Sequence, residues 1–300
     1  MAMCHQKFSM KRDLLSWLIF IALSFIWGSS FILMKIGLET LSAFQVAAIR
    51  IASAGLVLSP VAFRSFKKIP KEKLLLVFLT GTIGNLIPAF LFCIAEEVID
   101  SSLSGTINSL TPVFTIIVGS MFFNVRATKN QIVGVIIAFT GTSLLFLGKG
   151  SLHSSKDVLF AFLIVIATIL YGLNVNIVHK NLKEIPSLQI VSIAMVTNGI
   201  IALIVLYATG YFHLSFSDTN ILHSTAAATV LGTIGTALAT IIFYMLLKRA
   251  GSVFASLVTY GMPFVAIFWG FVRGEDIGTG QIACLIIILI GVYWTSRKKS

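Results

Sequence analysis

Apolar residues run through this chain in stretches of about twenty positions, the length a helix needs to cross a bilayer, and charged residues and turn formers separate them. The stretches fall at approximately 14–34, 43–63, 74–95, 103–123, 131–148, 158–178, 188–209, 224–247, 254–272 and 279–296. Within them the apolar positions do not keep to one helical face, as they would in a water-soluble domain. The pattern therefore predicts an all-α polytopic membrane protein with ten transmembrane helices. Most connections are short, so consecutive helices are expected to be antiparallel neighbours; the longest connection is 211–223.

Composition agrees with the pattern. Of 300 residues 57% are hydrophobic and 11% charged, and mean hydropathy is +0.98, whereas an ordinary globular domain is about 25% charged. Cys4, Cys93 and Cys284 show neither a disulfide framework nor a metal-ligand spacing with the five histidines, so no metal and no cofactor is expected. The apolar run after Lys7, Lys11 and Arg12 is longer than a signal h-region, and no small-residue cleavage pattern follows before Lys35; it reads as an uncleaved first helix.

A net charge of +11 on a soluble surface would suggest nucleic acid. Here its distribution says otherwise. In a ten-helix arrangement seventeen Lys and Arg, among them Lys11, Arg64, Lys67, Lys68, Lys129, Lys180, Lys248 and Arg249, fall on one side. Four, Lys35, Lys149, Lys156 and Arg273, fall on the other, and Arg50 lies within the second span. The basic side is the cytoplasmic one and holds both termini. The expected division is 1–13 as a cytoplasmic N-terminus, 14–148 as a first five-helix unit, 149–157 as a linker, 158–296 as a second unit and 297–300 as a cytoplasmic tail. The compact loops and the lack of an Asn-x-Ser/Thr acceptor agree with a bacterial plasma (inner) membrane as the expected location; the expected partners are membrane lipids and a small-molecule substrate, with no nucleic acid, and the expected state is a monomer or weak dimer.

The second unit repeats the first. Displacing the chain by 151 positions aligns Gly81-Thr82-Ile83-Gly84 with Gly232-Thr233-Ile234-Gly235, Phe92 with Phe243, Ser101 with Ser252 and Pro112 with Pro263. Near that offset Trp27-Gly28 meets Tyr171-Gly172, Gln131-Ile132 meets Gln281-Ile282, and Gly141 meets Gly291. Five spans per copy is an odd number, so the copies must enter the membrane from opposite sides. Inverted repeats of this kind build carriers whose central cavity faces each side in turn.

At these residues the chain resembles the drug/metabolite transporter superfamily, in particular its EamA-type members with two five-helix repeats. The resemblance rests on Trp27-Gly28-Ser29-Ser30-Phe31, Arg50, Leu110-Thr111-Pro112 with Met262-Pro263, and Gly274-Glu275 ahead of the 281–291 helix. It implies alternating-access transport of small organic solutes, often export of amino acids or metabolites. The first half departs from the pattern, with Asn124-Val125-Arg126 where the second has Gly274-Glu275.

Polar side chains are expensive in lipid unless they face a bundle interior or a water-filled path. Ser101, Ser104, Asn108, Thr111 and Thr115 recur at helical spacing, as do Ser256, Thr259 and Pro263; they either line a cavity or bond their own helix and pack helices together. Pro112 and Pro263 are expected to leave carbonyls open one turn earlier. Further lining candidates are Trp27, Gly28 and Phe31 in the first helix, Tyr171, Asn174 and Asn176 in the sixth, and Tyr260 in the ninth. Trp27 and Tyr171 are expected at equivalent places in their bundles, where they either flank the cavity from opposite sides or are lipid-facing or core aromatics.

Arg50 lies about 10 Å below the outer boundary at about 1.5 Å of rise per residue. It is either fastened to Glu96, Glu97, Asp100 or helix-end carbonyls, or placed to clamp a solute carboxylate. Glu96 and Glu97 end the third helix, where they either terminate it or exchange protons with the cavity mouth. Neither a His-Glu-x-x-His motif nor a mid-span carboxylate pair is present, so an enzyme is not expected. The function expected is export of amino acids or related zwitterionic, neutral or cationic metabolites; the alternatives are a channel and a lipid scramblase or flippase.

Overall fold

Caps and glycine turns divide the chain close to where the apolar pattern breaks. The structure, a computed structural model, describes residues 14–99, 101–125, 127–147, 155–272 and 278–296. The 1–13 stretch, most of the expected 149–157 linker, Arg126, the Gly274-Glu275 turn and the 297–300 tail lie outside them.

Helix α1 (Leu14–Leu38) leads to α2 (Ala43–Ser65). Ser42 opens α2 with a reciprocal cap: its hydroxyl accepts from the Gln45 N–H, and the Gln45 side chain accepts from the Ser42 N–H at 3.1 Å. Helix α3 (Lys71–Glu96) starts after Pro70. Helix α4 is two pieces, Ser101–Asn108 and Thr111–Phe122, and α5 is Lys129–Leu147. Helix α6 (Ser155–Asn181) precedes α7 (Ser187–Ala208), which follows Pro186. Helix α8 (Thr219–Ala250) is capped by Asp218, whose carboxylate accepts from the Asn220 N–H at 2.8 Å. Gly251, at φ 86°, makes the turn into α9, which comprises Ser252–Ser256, a tighter 3-10 stretch Leu257–Gly261, and Met262–Val272. Helix α10 is Thr279–Ser296. The described residues contain no strand.

Eight of these helices, α1 to α4 and α6 to α9, are long and apolar enough to cross a membrane. Several run beyond their apolar limits. The sixth stretch was expected at 158–178 and the eighth at 224–247, but the polar ends of α6 and α8 stay helical, since helical hydrogen bonding need not stop where the apolar run does. Large apolar side chains such as Leu56, Phe63, Leu75 and Tyr207 are exposed, as surfaces facing lipid would be.

The repeated sequence signals mark departures from regular helix. Helix α3 widens at Thr82–Leu86 and α8 at Leu231–Leu238 into wide π-type turns, and both segments overlap the Gly-Thr-Ile-Gly copies. The break in α4 at Ser109–Leu110 corresponds by the same displacement to the tightened 257–261 stretch of α9. Packing follows the repeat as well. Helix α2 lies along α7, and α5 along α10. Helix α1 contacts α8 and α9, as α6 contacts α3 and α4, and α2 meets α8 as α7 meets α3. Exchanging every helix for the one five places away leaves this pairing unchanged. Where α2 crosses α7, Gly55 permits the approach: a Cβ on it would stand 2.7 Å from the Met195 carbonyl oxygen and 3.4 Å from the Gly199 Cα.

Candidate functional site

Between the two halves lies an open cavity, walled by α1, α2, α3, α4, α6, α8 and α9. Its two wide-turn segments contribute the Gly84-Asn85 pair and Gly235. Helix α1 supplies Trp27, Ser30, Phe31 and Met34; α4 supplies Asn108 and Thr111; α6 supplies Tyr171 and Asn174; α9 supplies Ser256, Thr259 and Met262. Arg50 of α2 is the one Lys or Arg among the lining residues described, and none of those is Asp or Glu.

The aromatic walls come in equivalent pairs. Trp27 sits against Phe243, ring centroids 5.1 Å apart, and Tyr171 stacks with Phe92 at 6.1 Å and 29°. The displacement that relates Phe92 to Phe243 is one that relates the two Gly-Thr-Ile-Gly copies. The Trp27 indole N–H donates to the Gly235 carbonyl at 2.9 Å, so α1 is tied to the wide turn of α8. The other half has a different contact at that place: Gly84 packs so closely on Asn174 that a Cβ would stand 2.3 Å from its amide nitrogen. The Asn174 amide donates to the Tyr244 hydroxyl at 3.0 Å.

The two readings of the hydroxyl stripes coincide. Thr111 donates to the Asn108 carbonyl at 2.8 Å, Ser256 to Val253 at 2.8 Å and Thr259 to Ser256 at 3.1 Å, while all three line the cavity. Their protons are spent on their own helices, and oxygen lone pairs are what they offer a solute. The Asn108 amide donates to the Met262 sulfur at 3.5 Å.

Other expected site residues stand behind the wall. Gly28 is where α1 meets α9: a Cβ there would be 2.7 Å from that of Val265. Asn176 is fully buried and donates to the carbonyls of Thr115 and Gly172 at 2.9 and 2.8 Å, a bond between α6 and α4. The Tyr260 hydroxyl donates to the Val135 carbonyl of α5 at 3.1 Å. Pro112 and Pro263 stand one residue into the last pieces of α4 and α9. Neither leaves an open carbonyl, contrary to the expectation from sequence. Thr111 bonds the Asn108 oxygen that Pro112 cannot, and the Met262 N–H bonds Thr259.

The Glu96 and Glu97 carboxylates have partners other than Arg50. Glu96 accepts from Ser101 Oγ at 2.7 Å and lies 3.8 Å from Lys35 Nζ, which also donates to the carbonyls of Glu96 and Ile99. Glu97 accepts from the Ala43 N–H at 2.8 Å. Asp100 lies outside the described residues. Arg50 Nε instead donates to Thr236 Oγ1 at 2.7 Å, and the Thr236 hydroxyl donates to the Leu231 carbonyl at 3.2 Å.

Sequence reasoning passed over Asn85 and Thr240, which line the cavity together, the Thr240 hydroxyl 3.2 Å from Asn85 Oδ1. Asn85 stands in the wide turn of α3 and Thr240 just beyond that of α8, where regular helical spacing loses its meaning. The repeated Gly-Thr-Ile-Gly beside them was the available signal.

Known proteins resemble the chain along nearly its whole length. The model of the EamA-like transporter family matches residues 14–147 and again 158–297. An "Uncharacterized transporter" of Archaeoglobus fulgidus is 24% identical over 94% of this chain and 99% of its own. Protein PagO of Salmonella typhimurium is 24% identical over 93% and 91%, and the "Uncharacterized inner membrane transporter YedA" of Escherichia coli K12 is 24% identical over 93% and 89%. A solved crystal structure superposes with a TM-score of 0.71 over 94% of this chain and 98% of that one, at 13% identity, a likeness of fold.

Proposed function

The chain belongs to the EamA-like transporter family, and from that premise we propose that it is an alternating-access carrier of small zwitterionic or neutral metabolites, amino acids foremost, working in the direction of export. It is a membrane transporter, not an enzyme, and a multi-pass protein of the inner membrane. In this reading the helices form ten spans, as two inverted five-helix repeats with both termini in the cytoplasm, which accounts for the sorting of basic residues.

The observation that carries the proposal is the cavity between the halves, bounded on both sides by equivalent parts: Trp27 with Phe243 and Tyr171 with Phe92, beside the two wide turns. A solute there touches matching elements of two related bundles. Rocking one bundle against the other changes which side the cavity faces while leaving the contacts of the middle in place. Amide groups, hydroxyl lone pairs and ring faces suit a small molecule with both polar and apolar parts. A solute of purely cationic character finds no carboxylate among the described lining residues, so the support falls on zwitterionic and neutral compounds.

The test is counterflow. Liposomes holding the purified protein are preloaded with one unlabelled amino acid or metabolite, and entry of the same labelled compound is followed with and without a proton gradient. Saturable accumulation driven by the unlabelled load is the expected result. Flux that rises linearly with concentration, or transfer of labelled phospholipid in place of solute, overturns the carrier reading.

A further inference from the structure

Arg50 breaks the equivalence of the two halves. A displacement of 144 sets Gln45 on Gln189, Gly55 on Gly199, Arg50 on Ala194 and Ala54 on Asn198. Asn198 fastens α7 to the wide turn of α3: Thr82 Oγ1 donates to its Oδ1 at 2.9 Å, and its Nδ2 donates to the Phe78 carbonyl at 3.3 Å. In the other half the tie between α2 and the wide turn of α8 is Arg50 Nε on Thr236. The fold thus makes this tie with a neutral amide on one side, so fastening alone does not call for a charge. A guanidinium within a span is costly. This one is half-buried, lines the cavity, and among the described residues forms no ion pair with a carboxylate.

Resting on the carrier reading, we propose that Arg50 receives the carboxylate of the transported solute and so limits the substrates to carboxylate-bearing molecules, amino acids among them. Thr236 spends its proton on Leu231 and offers Nε a lone pair. That bond sets the plane of the guanidinium and leaves its terminal N–H groups for the paired contact that a carboxylate makes with arginine. The aromatic pairs of the cavity wall take the body of the solute, while the oxygens of Asn108 and Asn174 are acceptors for an ammonium. The charge stands in one half only, so a solute binds with one end preferred.

Probe sets of a free amino acid, its carboxamide and the amine lacking the carboxyl group test this, starting with phenylalanine, phenylalaninamide and phenethylamine and extending across the amino acids. Binding is read as a rise in melting temperature of purified full-length protein, and transport as competition in counterflow. Wild type is expected to be stabilised by acids and not by amides or amines. Arg50→Gln is expected to lose that distinction, with the KM for the acid raised at least about tenfold, and Arg50→Lys to recover part of it, since an ammonium makes one contact where guanidinium makes two. Should Arg50→Gln fail to fold, Thr236→Val serves: it keeps the charge but not the bond that sets the guanidinium plane, and a raised KM for acids is expected, with amides and amines still failing to compete.

Equal treatment of acid and amide by wild type overturns the proposal, as does a folded Arg50→Gln that keeps the preference. Binding that depends on both the carboxylate and Arg50, without counterflow, upholds this assignment and strikes the carrier reading instead.

Discussion

The indole N–H of Trp27 donates to the Gly235 carbonyl at 2.9 Å, joining the first helix of one half to the wide turn of the eighth helix in the other. That carbonyl belongs to the wide turn Leu231–Leu238, and it accepts from a side chain of the cavity wall. Trp27→Phe keeps the ring contact with Phe243 and removes the bond. The expected cost is about 0.5–1.5 kcal/mol, seen as a lower melting temperature, with transport slowed more than binding is weakened. Trp27→Ala and Tyr171→Ala both leaving rate and affinity unchanged would show that neither ring serves the cavity.

Glycines at helix crossings give a sharper contrast. A Cβ on Gly232 would stand 2.3 Å from the Arg50 carbonyl oxygen, whereas on Gly105 it would meet only the edge of the Phe31 ring at 3.8 Å. Backbone cannot yield as a side-chain tip can. Gly232→Ala is expected to cost about 1–3 kcal/mol through forced separation of α2 from α8, and Gly105→Ala to change stability by less than about 0.5 kcal/mol. Melting curves of the two variants side by side check this; equal curves would mean that α2 and α8 do not approach as described.

Asn198 separates fastening from recognition. It is fully buried and bonded to Thr82, Phe78 and Ala194, and it is absent from the cavity wall described. Asn198→Ala is expected to lose about 1–3 kcal/mol of stability with no change in the preference for acids over amides. Loss of that preference in a folded Asn198→Ala would mean that the tie itself, and not the charge of Arg50, governs selectivity.

How much could be read from the chain depended on whether regular helix held. Asn108 and Thr111, three apart, were legible as one face and do line the cavity together, because the Ser109 and Leu110 N–H groups still turn back onto the Gly105, Thr106 and Ile107 carbonyls across the break in α4. Asn174 and Asn176 both read as lining, yet positions two apart point to well-separated faces of a helix; only Asn174 reaches the cavity, and Asn176 bonds α4. Nothing in the sequence says which of the two is which. Asn85 escaped notice because the wide turn rotates it out of register. The repeat was readable because its Gly-Thr-Ile-Gly and Pro positions lie where the backbone departs from regular helix in both copies, whereas the neighbours of Arg50 depend on contacts between distant segments.

The carboxylates at the end of α3 supply the last prediction. Glu96 is 1% exposed and holds Ser101 and Lys35, so it closes the corner between α1, α3 and α4. Glu97 caps the start of α2 through the Ala43 N–H. Both jobs use the charged form as an acceptor, and a carboxylate that alternates between proton and solute would have to give them up in each cycle. Glu96→Gln is therefore expected to lower the melting temperature, since the amide weakens the attraction to Lys35, while the dependence of counterflow on a proton gradient stays that of wild type. Glu97→Gln is expected to be milder, because its amide oxygen still accepts from Ala43. A gradient dependence present in wild type and lost in either folded variant would make that carboxylate a proton carrier and the corner a moving part of the cycle.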